Sequence, residues 1–432
     1  MRADPQVRVA RDGRDRDVGE VGDQGEKGRH DVGRRISDDQ VELFVTTDVA
    51  TALQQEFTLH SPEFIALHDL GMSASLRLLS SLAGAADAGV LVASADDTRA
   101  LNALARQSSV VLSTAGPFDL YGSKLVAACV RHGTHYVDIT GETPWVQGLI
   151  AQHHAQAARD GTRIIPCCGF DSVPSDLGAW MQVQAMRKGH GVPCAGMKVA
   201  FSLRGGVNGG TLASALHMLD SGQAVALADP FLLNPPDQRP VARACDRDPS
   251  WLHFDADFKS WLGPFFMGPV NTRVVRRSAA LLDYGPDFRY QEYLRVGTGP
   301  LAAAAAASIS AGMGLSRIAL AWAPVRSLAA RIAPRPGEGP SAERMDGGAF
   351  RCDFVTRSVN GIHLRGQVSD QGDPGNRATT KMVCEAALAL ALDGAQLPGG
   401  PGLGGVLTPA SGLGAVLVDR LRAAGMVLRA GT

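Results

Sequence analysis

The sequence lacks the features by which several classes of protein are recognised. Its seven cysteines include no Cys-x-x-Cys pair, so neither a metal site nor a disulfide framework is indicated. Its 42 basic and 43 acidic residues give a net charge of −1, and we therefore expect no nucleic-acid partner. No apolar stretch of the secretory type opens the chain, which favours a reducing, cytoplasmic location.

Apolar side chains are also scarce at the front, where no aromatic residue precedes Phe44. Such a composition does not offset the entropy of ordering, so residues 1–40 are predicted to be a disordered, atypical leader. A Gly-x-x-Gly-x-x-Gly spacing at 19–25 follows charged residues rather than an apolar strand and is not a phosphate-binding fingerprint. The composition is compatible with a shifted start, a shifted reading frame or a rearranged copy of the gene, and the sequence leaves these open.

Farther along, three apolar runs each end in small, turn-forming residues. The runs at 110–112, 135–139 and 163–166 are separated by stretches of helical character at 120–132 and 144–159. This alternation predicts a parallel sheet with right-handed crossovers. In such sheets the ligand crevice lies beyond the carboxyl ends of the strands, where the Gly, Ser, Thr, Asp and Glu residues fall here.

The remaining pattern predicts an α/β protein with two domains. Before the three runs, a strand is predicted at 41–45, a helix at 73–83, a strand from 89 and a helix at 98–106. After them come strands at 197–203 and 288–296, a hairpin with its turn at Asn360-Gly361, and helices at 375–392 and 409–424. We therefore expect a Rossmann-like nucleotide-binding domain at 41–193, incomplete at its N-terminal part, an α+β substrate domain at 194–373, and C-terminal helices at 374–432 that pack back on the first domain.

Several strings follow one another in the order and spacing of a known family. They are TAGPF at 114–118, YVDITGE at 136–142, GFDSVPSD at 169–176 and PVNTRVVRRS at 269–278. From about residue 90 to the end, the chain resembles the saccharopine dehydrogenase-like oxidoreductases and, within them, the trans-acting enoyl reductases of actinobacterial lipid synthesis. The resemblance implies NADP as the cofactor and reduction of an enoyl thioester made by a partner synthase. It fails at the front, where the glycine-rich phosphate loop is missing.

The turns after the three runs are the predicted cofactor surface, because glycine permits close approach and proline fixes a turn. An ordinary strand exit is the alternative at each turn. The predicted residues are Thr114, Ala115, Gly116, Pro117, Phe118, Gly141, Glu142, Gly169 and Phe170.

An enoyl reductase must also stabilise an enolate and protonate the α-carbon. Tyr121, Asp171 and Ser172 are the candidate catalytic residues, with Tyr121 or Ser172 donating a hydrogen bond to the developing oxyanion. Asp171 and Asp176 are equally suited to cap the helix that begins near Pro174, and capping is the default for Ser172.

Two sets of residues are candidates for substrate binding. Gly209, Gly210 and Thr211 open a predicted helix whose free N–H groups suit a carbonyl or phosphate oxygen, with simple helix entry as the alternative. Arg273, with Arg276 and Arg277, suits a phosphopantetheine arm or an acidic carrier domain, and a solvated strand face is the alternative.

An uncharged, Ala-rich run at 301–316 leads through Arg317 into a further helical stretch up to 332. A packed helix, a helix lying on the membrane and a true span are the three alternatives. The second would give peripheral contact with the plasma membrane through 301–332.

The leading hypothesis is thus an NADP-dependent enoyl reductase of polyketide-derived lipid or glycolipid biosynthesis. Its partners would be the acyl or polyketide thioester or the synthase that carries it, and a homodimer is left open. One alternative is a cofactor-free, membrane-associated or synthase-binding protein on a truncated Rossmann fold. A second is a saccharopine-type amino-acid dehydrogenase.

Overall fold

The computed structural model describes residues 93–205, 209–332 and 340–431, with side chains except at 209–212, 317 and 330. Before these it describes the backbone of five strands, β1 (Arg8–Arg11), β2 (Arg14–Asp17), β3 (Val41–Val45), β4 (Phe64–Leu67) and β5 (Gly89–Leu91). The predicted helix at 73–83 and the glycine spacing at 19–25 lie outside the described residues.

The later strands and the α-helices follow in chain order. The strands are β6 (Val110–Ser113), β7 (His135–Asp138), β8 (Arg163–Ile165), β9 (Cys194–Arg204), β10 (His253–Asp255), β11 (Ser260–Pro264), β12 (Arg289–Gly297), β13 (Ala349–Ser358), β14 (His363–Gln371), β15 (Gly405–Val406) and β16 (Val427–Ala430). The helices are α1 (Thr98–Gln107), α2 (Phe118–Tyr121), α3 (Ser123–His132), α4 (Thr143–Asp160), α5 (Val173–His190), α6 (Gly209–Asp220), α7 (Gly268–Leu281), α8 (Gly299–Leu320), α9 (Ala323–Ile332), α10 (Ala342–Asp346), α11 (Thr379–Leu392), α12 (Pro409–Gly412) and α13 (Gly414–Ala423).

The first sheet has the order β15-β8-β7-β6-β3-β4-β5-β1-β2. Every pair from β15 to β5 is parallel, which confirms the predicted parallel sheet. Its central strands are covered on both faces, and Val110, Val111 and Leu112 are fully buried, as the continuous apolar run indicates. At the far edge β1 pairs antiparallel with β2 and β5, so two short strands lie within the predicted leader, the rest of which is outside the described residues.

The strand order reverses between β3 and β6. From β3 the chain builds β4 and β5 on one side, and it then returns to place β6, β7 and β8 on the other. Ligands of doubly wound sheets bind at such a switch point, beyond the carboxyl ends of the strands. In this topology the phosphate-binding turn belongs directly after β3, and residues 46–63, which connect β3 to β4, contain no glycine.

Short-range signals set the crossovers between these strands. The Asp97 carboxylate accepts hydrogen bonds from the backbone N–H groups of Arg99 and Ala100 and thereby starts α1. Helices α3 and α4 end at Gly133 and Gly161, whose φ angles of 73° and 72° favour glycine. Each helix therefore stops one residue before the chain turns toward the next strand.

The second sheet is mixed and has the order β10-β11-β12-β9-β13-β14-β16. Only β12 and β9 pair in parallel, and β13 and β14 form the predicted hairpin around Asn360-Gly361, where Gly361 has a φ of 80°. This sheet with its covering helices is the predicted α+β module.

The C-terminal segment contributes to both sheets. Strand β15 extends the first sheet beside β8, β16 extends the second beside β14, and α11 packs against β6 and β7. The predicted helices are present in this segment, together with two strands that were not predicted. The two sheets are therefore joined by the same stretch of chain.

Candidate active site

The carboxyl ends of β6, β7 and β8 present three turns to the region where the two sheets meet. A Cβ placed on Gly141, in the turn after β7, would lie 3.5 Å from Asp171 Oδ2 and 3.8 Å from Met267 Cε. Asp171 follows β8, and Met267 directly precedes α7 of the second domain. Two of the predicted site residues, Gly141 and Asp171, thus meet at one place, with an apolar side chain of the second domain beside them.

Asp171 contributes to this crevice a carboxylate without a polar partner in the part of the chain that the structure describes. It is half-buried, and within the described residues its carboxylate has neither a hydrogen bond nor an ion pair. Desolvation therefore raises the pKa of Asp171 to about 6. The alternative that Asp171 caps α5 is wrong, because its carboxylate bonds no backbone N–H group. Asp171 therefore keeps its proton to a higher pH than an exposed aspartic acid does.

Glu142 has a different role from the predicted contact with the cofactor. It is fully buried, and its two carboxylate oxygens accept hydrogen bonds from the backbone N–H groups of Phe118 and Asp119, at 2.9 and 3.0 Å. Ser214 Oγ of α6 donates a third hydrogen bond at 2.7 Å. Glu142 therefore caps α2 and fixes the turn after β6 from behind.

The turn fixed in this way comprises Thr114, Ala115, Gly116, Pro117 and Phe118. Thr114, Ala115 and Phe118 are buried, while Gly116 and Pro117 are partly exposed and joined by a cis peptide bond. This placement beside β3, at the switch point, is compatible with the predicted cofactor surface. Tyr121 lies at the end of α2 and is partly exposed.

The predicted caps at the start of α5 are both wrong. The Ser172 hydroxyl is fully buried and forms no cap, because its Oγ has no hydrogen-bond partner in the described part of the chain. Asp176 lies within α5, and its Oδ2 accepts a hydrogen bond from Ala410 N at 2.8 Å, so it caps α12 instead. Burial raises the pKa of Asp176 to about 7, against hydrogen bonds that lower it. Asp176 thus anchors the C-terminal segment to α5.

Gly169 and Phe170 pack at the contact between the two domains. A Cβ on Gly169 would approach Thr379 Cγ2 to 3.2 Å, and Phe170 N donates to Thr379 Oγ1. The Phe170 ring contacts Phe201 and Phe350 of the second sheet. Close packing therefore explains both residues, and their predicted contact with the cofactor stays a prediction.

Asp138, at the end of β7, was not among the predicted site residues. Its Oδ1 accepts hydrogen bonds from Thr140 N and Cys167 N, at 3.0 and 2.9 Å, and burial raises its pKa to about 7. Cys167 has a φ of 64°, in the left-handed region that a side chain disfavours. Asp138 therefore ties the turns after β7 and β8 together, and the signal for it is a carboxylate at the last position of a buried apolar run.

A second missed cluster lies between α7 and β12. Glu292 is fully buried and accepts hydrogen bonds from Tyr290 Oη at 2.6 Å and Asn271 Nδ2 at 2.9 Å. Burial raises the pKa of Glu292 to about 7. In the sequence, the cluster could have been recognised only from an acidic residue two positions after a tyrosine in a predicted strand.

The candidate residues for substrate binding lie at the start of α6 and on α7. Helix α6 begins at Gly209, as predicted, but the side chains of 209–212 lie outside the described residues, so the role of Gly209, Gly210 and Thr211 stays a prediction. Arg273, Arg276 and Arg277 are buried on α7, which corrects both the predicted phosphate contact and the solvated strand face. Arg273 pairs with Asp248 at 2.6 Å, and Arg276 and Arg277 donate to main-chain carbonyls of Pro230 and Leu233.

We predict that Arg273→Ala lowers the free energy of unfolding by about 3–5 kcal/mol, because it leaves the Asp248 carboxylate and the main-chain carbonyls of Asp229 and Leu227 without their donor. Urea denaturation measures the change. Arg351→Ala, which removes the exposed partner of Asp353, is the matched control, with an expected effect of at most about 1 kcal/mol. An Arg273→Ala protein of normal stability and a raised KM for the thioester would restore the substrate-binding role.

Comparison with known proteins identifies the family. The Saccharopine dehydrogenase NADP binding domain matches residues 74–165, which identifies NADP as the cofactor, as predicted. A Mycobacterium tuberculosis protein named as a trans-acting enoyl reductase is 39% identical over 357 residues, covering 79% of this chain and 84% of the relative. The trans-acting enoyl reductase of Mycobacterium ulcerans is 37% identical, covering 80% and 86%, and that of Mycobacterium bovis is 34% identical, covering 89% and 96%.

Among solved structures, apo saccharopine dehydrogenase from Saccharomyces cerevisiae covers 91% of this chain and 99% of its own, with a TM-score of 0.52 and 12% identity. That likeness confirms the predicted fold, an α/β architecture. The sequence relatives favour an oxidoreductase over the cofactor-free alternative and over the amino-acid dehydrogenase. The chain belongs to the trans-acting enoyl reductases, within the saccharopine dehydrogenase-like oxidoreductases.

Proposed function

We propose that this protein reduces an α,β-unsaturated thioester with NADPH, and that the thioester is a polyketide or acyl intermediate of lipid or glycolipid synthesis presented by a separate synthase. The observation that carries the proposal is the unpaired Asp171 carboxyl, which faces Gly141 and Met267 beyond the carboxyl ends of the parallel strands. A carboxyl with a pKa of about 6 is suited to donate a proton near neutral pH.

The described residues fit the nicotinamide half of the cofactor. Gly141 leaves open the space that a Cβ would fill between Asp171 and Met267, and the Gly116 turn lies at the switch point beside β3. These two turns would hold the nicotinamide and its ribose. When bound, the reduced nicotinamide supplies the hydride. Residues 46–63, where the phosphate turn belongs, lie outside the described residues.

Residues of the chain orient the cofactor and supply the proton for the α-carbon. Glu142 fixes the turn at 114–118, so the surface offered to the cofactor is set before binding. Met267 and Val270 place apolar groups next to Gly141, which lowers the access of water to the crevice. Asp171 transfers its proton to the α-carbon of the enolate and, being half-exposed, regains one from solvent.

The first experiment is a titration of the purified chain with NADPH, followed by the fluorescence of the reduced nicotinamide. Saturable binding is expected, and Gly116→Trp should abolish it by filling the turn. Gly189→Trp, on an exposed stretch of α5 with open space around its Cβ, is the matched control and should bind as the wild type does.

A second assay adds trans-2-enoyl-CoA thioesters and follows the loss of reduced-nicotinamide absorbance. Turnover that Gly116→Trp removes and Gly189→Trp retains would support the proposed reaction. Absence of NADPH binding by the wild-type chain, with a normal circular dichroism spectrum, would contradict it.

A further inference from the structure

Helices α8 and α9 form a helical hairpin, residues 299–332, on the second domain. The N-terminal half of α8 packs on β11 and β12 through Ala306 and Ser310, both buried. Beyond Ser310 the described side chains of α8 are exposed or half-exposed. Within the described residues, α8 is the one helix that is long and apolar enough to cross a membrane. Its outer half extends beyond the protein core.

The exposed half of this helical hairpin has an apolar face. Leu315 and Ile318 lie three residues apart on one side of α8, and Trp322 follows in the turn between α8 and α9. Ile318 is 73% exposed and Trp322 is 67% exposed. Leu328 and Ile332, four residues apart on α9, are exposed as well. Such a concentration of exposed apolar side chains in one segment indicates a surface that another phase or molecule covers.

The charge of the segment distinguishes between a second copy of the chain and an anionic surface as its partner. Residues 299–332 contain Arg317, Arg326 and Arg331 and no acidic residue. Arg326 pairs with Asp220 of α6, and the segment supplies no acid for Arg317 and Arg331. Two copies that met through this face would bring four such arginines together without an acid in the segment, which disfavours self-association. A lipid membrane with anionic headgroups would accept the apolar side chains in its interior and attract the arginines at its surface.

We propose that the helical hairpin 299–332 docks the protein on an anionic lipid membrane, with Leu315, Ile318 and Trp322 inserted at the level of the headgroups and Arg331 paired with a lipid phosphate. Trp suits this depth because its ring is apolar while its N–H group is polar. Arg317 interrupts the apolar sequence of α8 directly before Ile318, and a cation at that position favours a helix that lies in the interface over one that crosses the bilayer.

Contacts connect this surface to the crevice. Arg326 of α9 pairs with Asp220, the last residue of α6. The same helix α6 donates from Ser214 to Glu142 and places His217 at 3.1 Å from Asp119, directly behind the turn at 114–118. Docking would thus bring a wall of the crevice close to the lipid, which suits a lipid-linked enoyl substrate; this last step rests on the proposed function.

The test is flotation of the full chain with vesicles of phosphatidylcholine, with and without phosphatidylglycerol. The wild type should float with the anionic vesicles, less at high salt, and the double variant I318E/W322E should lower the partition coefficient by about tenfold or more. Val359→Glu, at an exposed apolar position beside the β13–β14 turn, is the matched control and should float as the wild type does.

Each variant is also titrated with NADPH, which separates this proposal from the proposed function. Retained NADPH affinity shows that I318E/W322E is folded, so that its loss of flotation reports the surface alone. Equal flotation of wild type and I318E/W322E would overturn the proposal. So would a wild-type dimer that I318E/W322E converts to a monomer while neither protein floats, because the face would then be an interface between copies.

Discussion

Replacing Asp171 by asparagine is expected to lower kcat for enoyl reduction by about 10²- to 10⁴-fold, the contribution of a positioned general acid. The amide has the size of the carboxyl but holds no transferable proton. Because Asp171 forms no hydrogen bond within the described residues, the substitution breaks no contact there, and the Kd for NADPH should stay unchanged. Steady-state turnover and NADPH titration of the same preparation measure the two quantities.

The pH dependence of turnover provides a second readout for Asp171. The proton donor must be protonated, so kcat/KM should be constant below about pH 6 and fall as the pH rises through that value. D171N should lack this limb. Asp160→Asn, at the exposed end of α4, is the matched control and should keep both the rate and the profile. Wild-type turnover by D171N would show that Asp171 is not the donor.

Replacing Glu142 by alanine is expected to raise the Kd for NADPH by about 10- to 100-fold and to lower the free energy of unfolding by about 2–4 kcal/mol. Three hydrogen bonds to one buried carboxylate are lost, and the N–H groups of Phe118 and Asp119 are left without that acceptor. The turn that faces the cofactor then loses its support. Nicotinamide fluorescence and urea denaturation measure the two effects.

Glu343→Ala, in the exposed first turn of α10, is the control for the loss of a glutamate and should change neither quantity. Glu142→Gln keeps one acceptor oxygen and should lie between the wild type and Glu142→Ala. A Glu142→Ala protein with normal stability and normal NADPH affinity but reduced kcat would assign the carboxylate a direct part in the reaction, contrary to its position behind the turn.

The elements that could be predicted from sequence are those whose signals are local. Strands β6, β7 and β8 are buried on both faces, so they are visible as apolar runs, and the turn residues that follow them mark the crevice. The hairpin at Asn360-Gly361 is visible for the same reason. Strand β15 has only two residues, and no periodicity can identify so short an element.

The side-chain roles that were missed depend on partners far away in the chain. Two partners of Glu142 lie 23 and 24 residues before it and the third lies 72 residues after it, and one carbonyl partner of Arg277 lies 129 residues after it. Three cations in one short string suggest a surface on composition alone, whereas in the fold they donate to main-chain carbonyls that are distant in the chain. The turns that follow the parallel strands could therefore be predicted from sequence, whereas the distant partners that support them could not.

Arg277 also limits how the molecule can move. Its guanidinium donates from one side to Leu233 O and from the other to Val406 O of β15, so a helix of the second domain is bonded directly to the edge of the first sheet. Hinge bending between the domains would break these buried bonds along with the packing of α11 on β6 and β7. We therefore expect a crevice that keeps its shape between turnovers, in which selectivity comes from the fit of a preformed slot rather than from closure around the substrate.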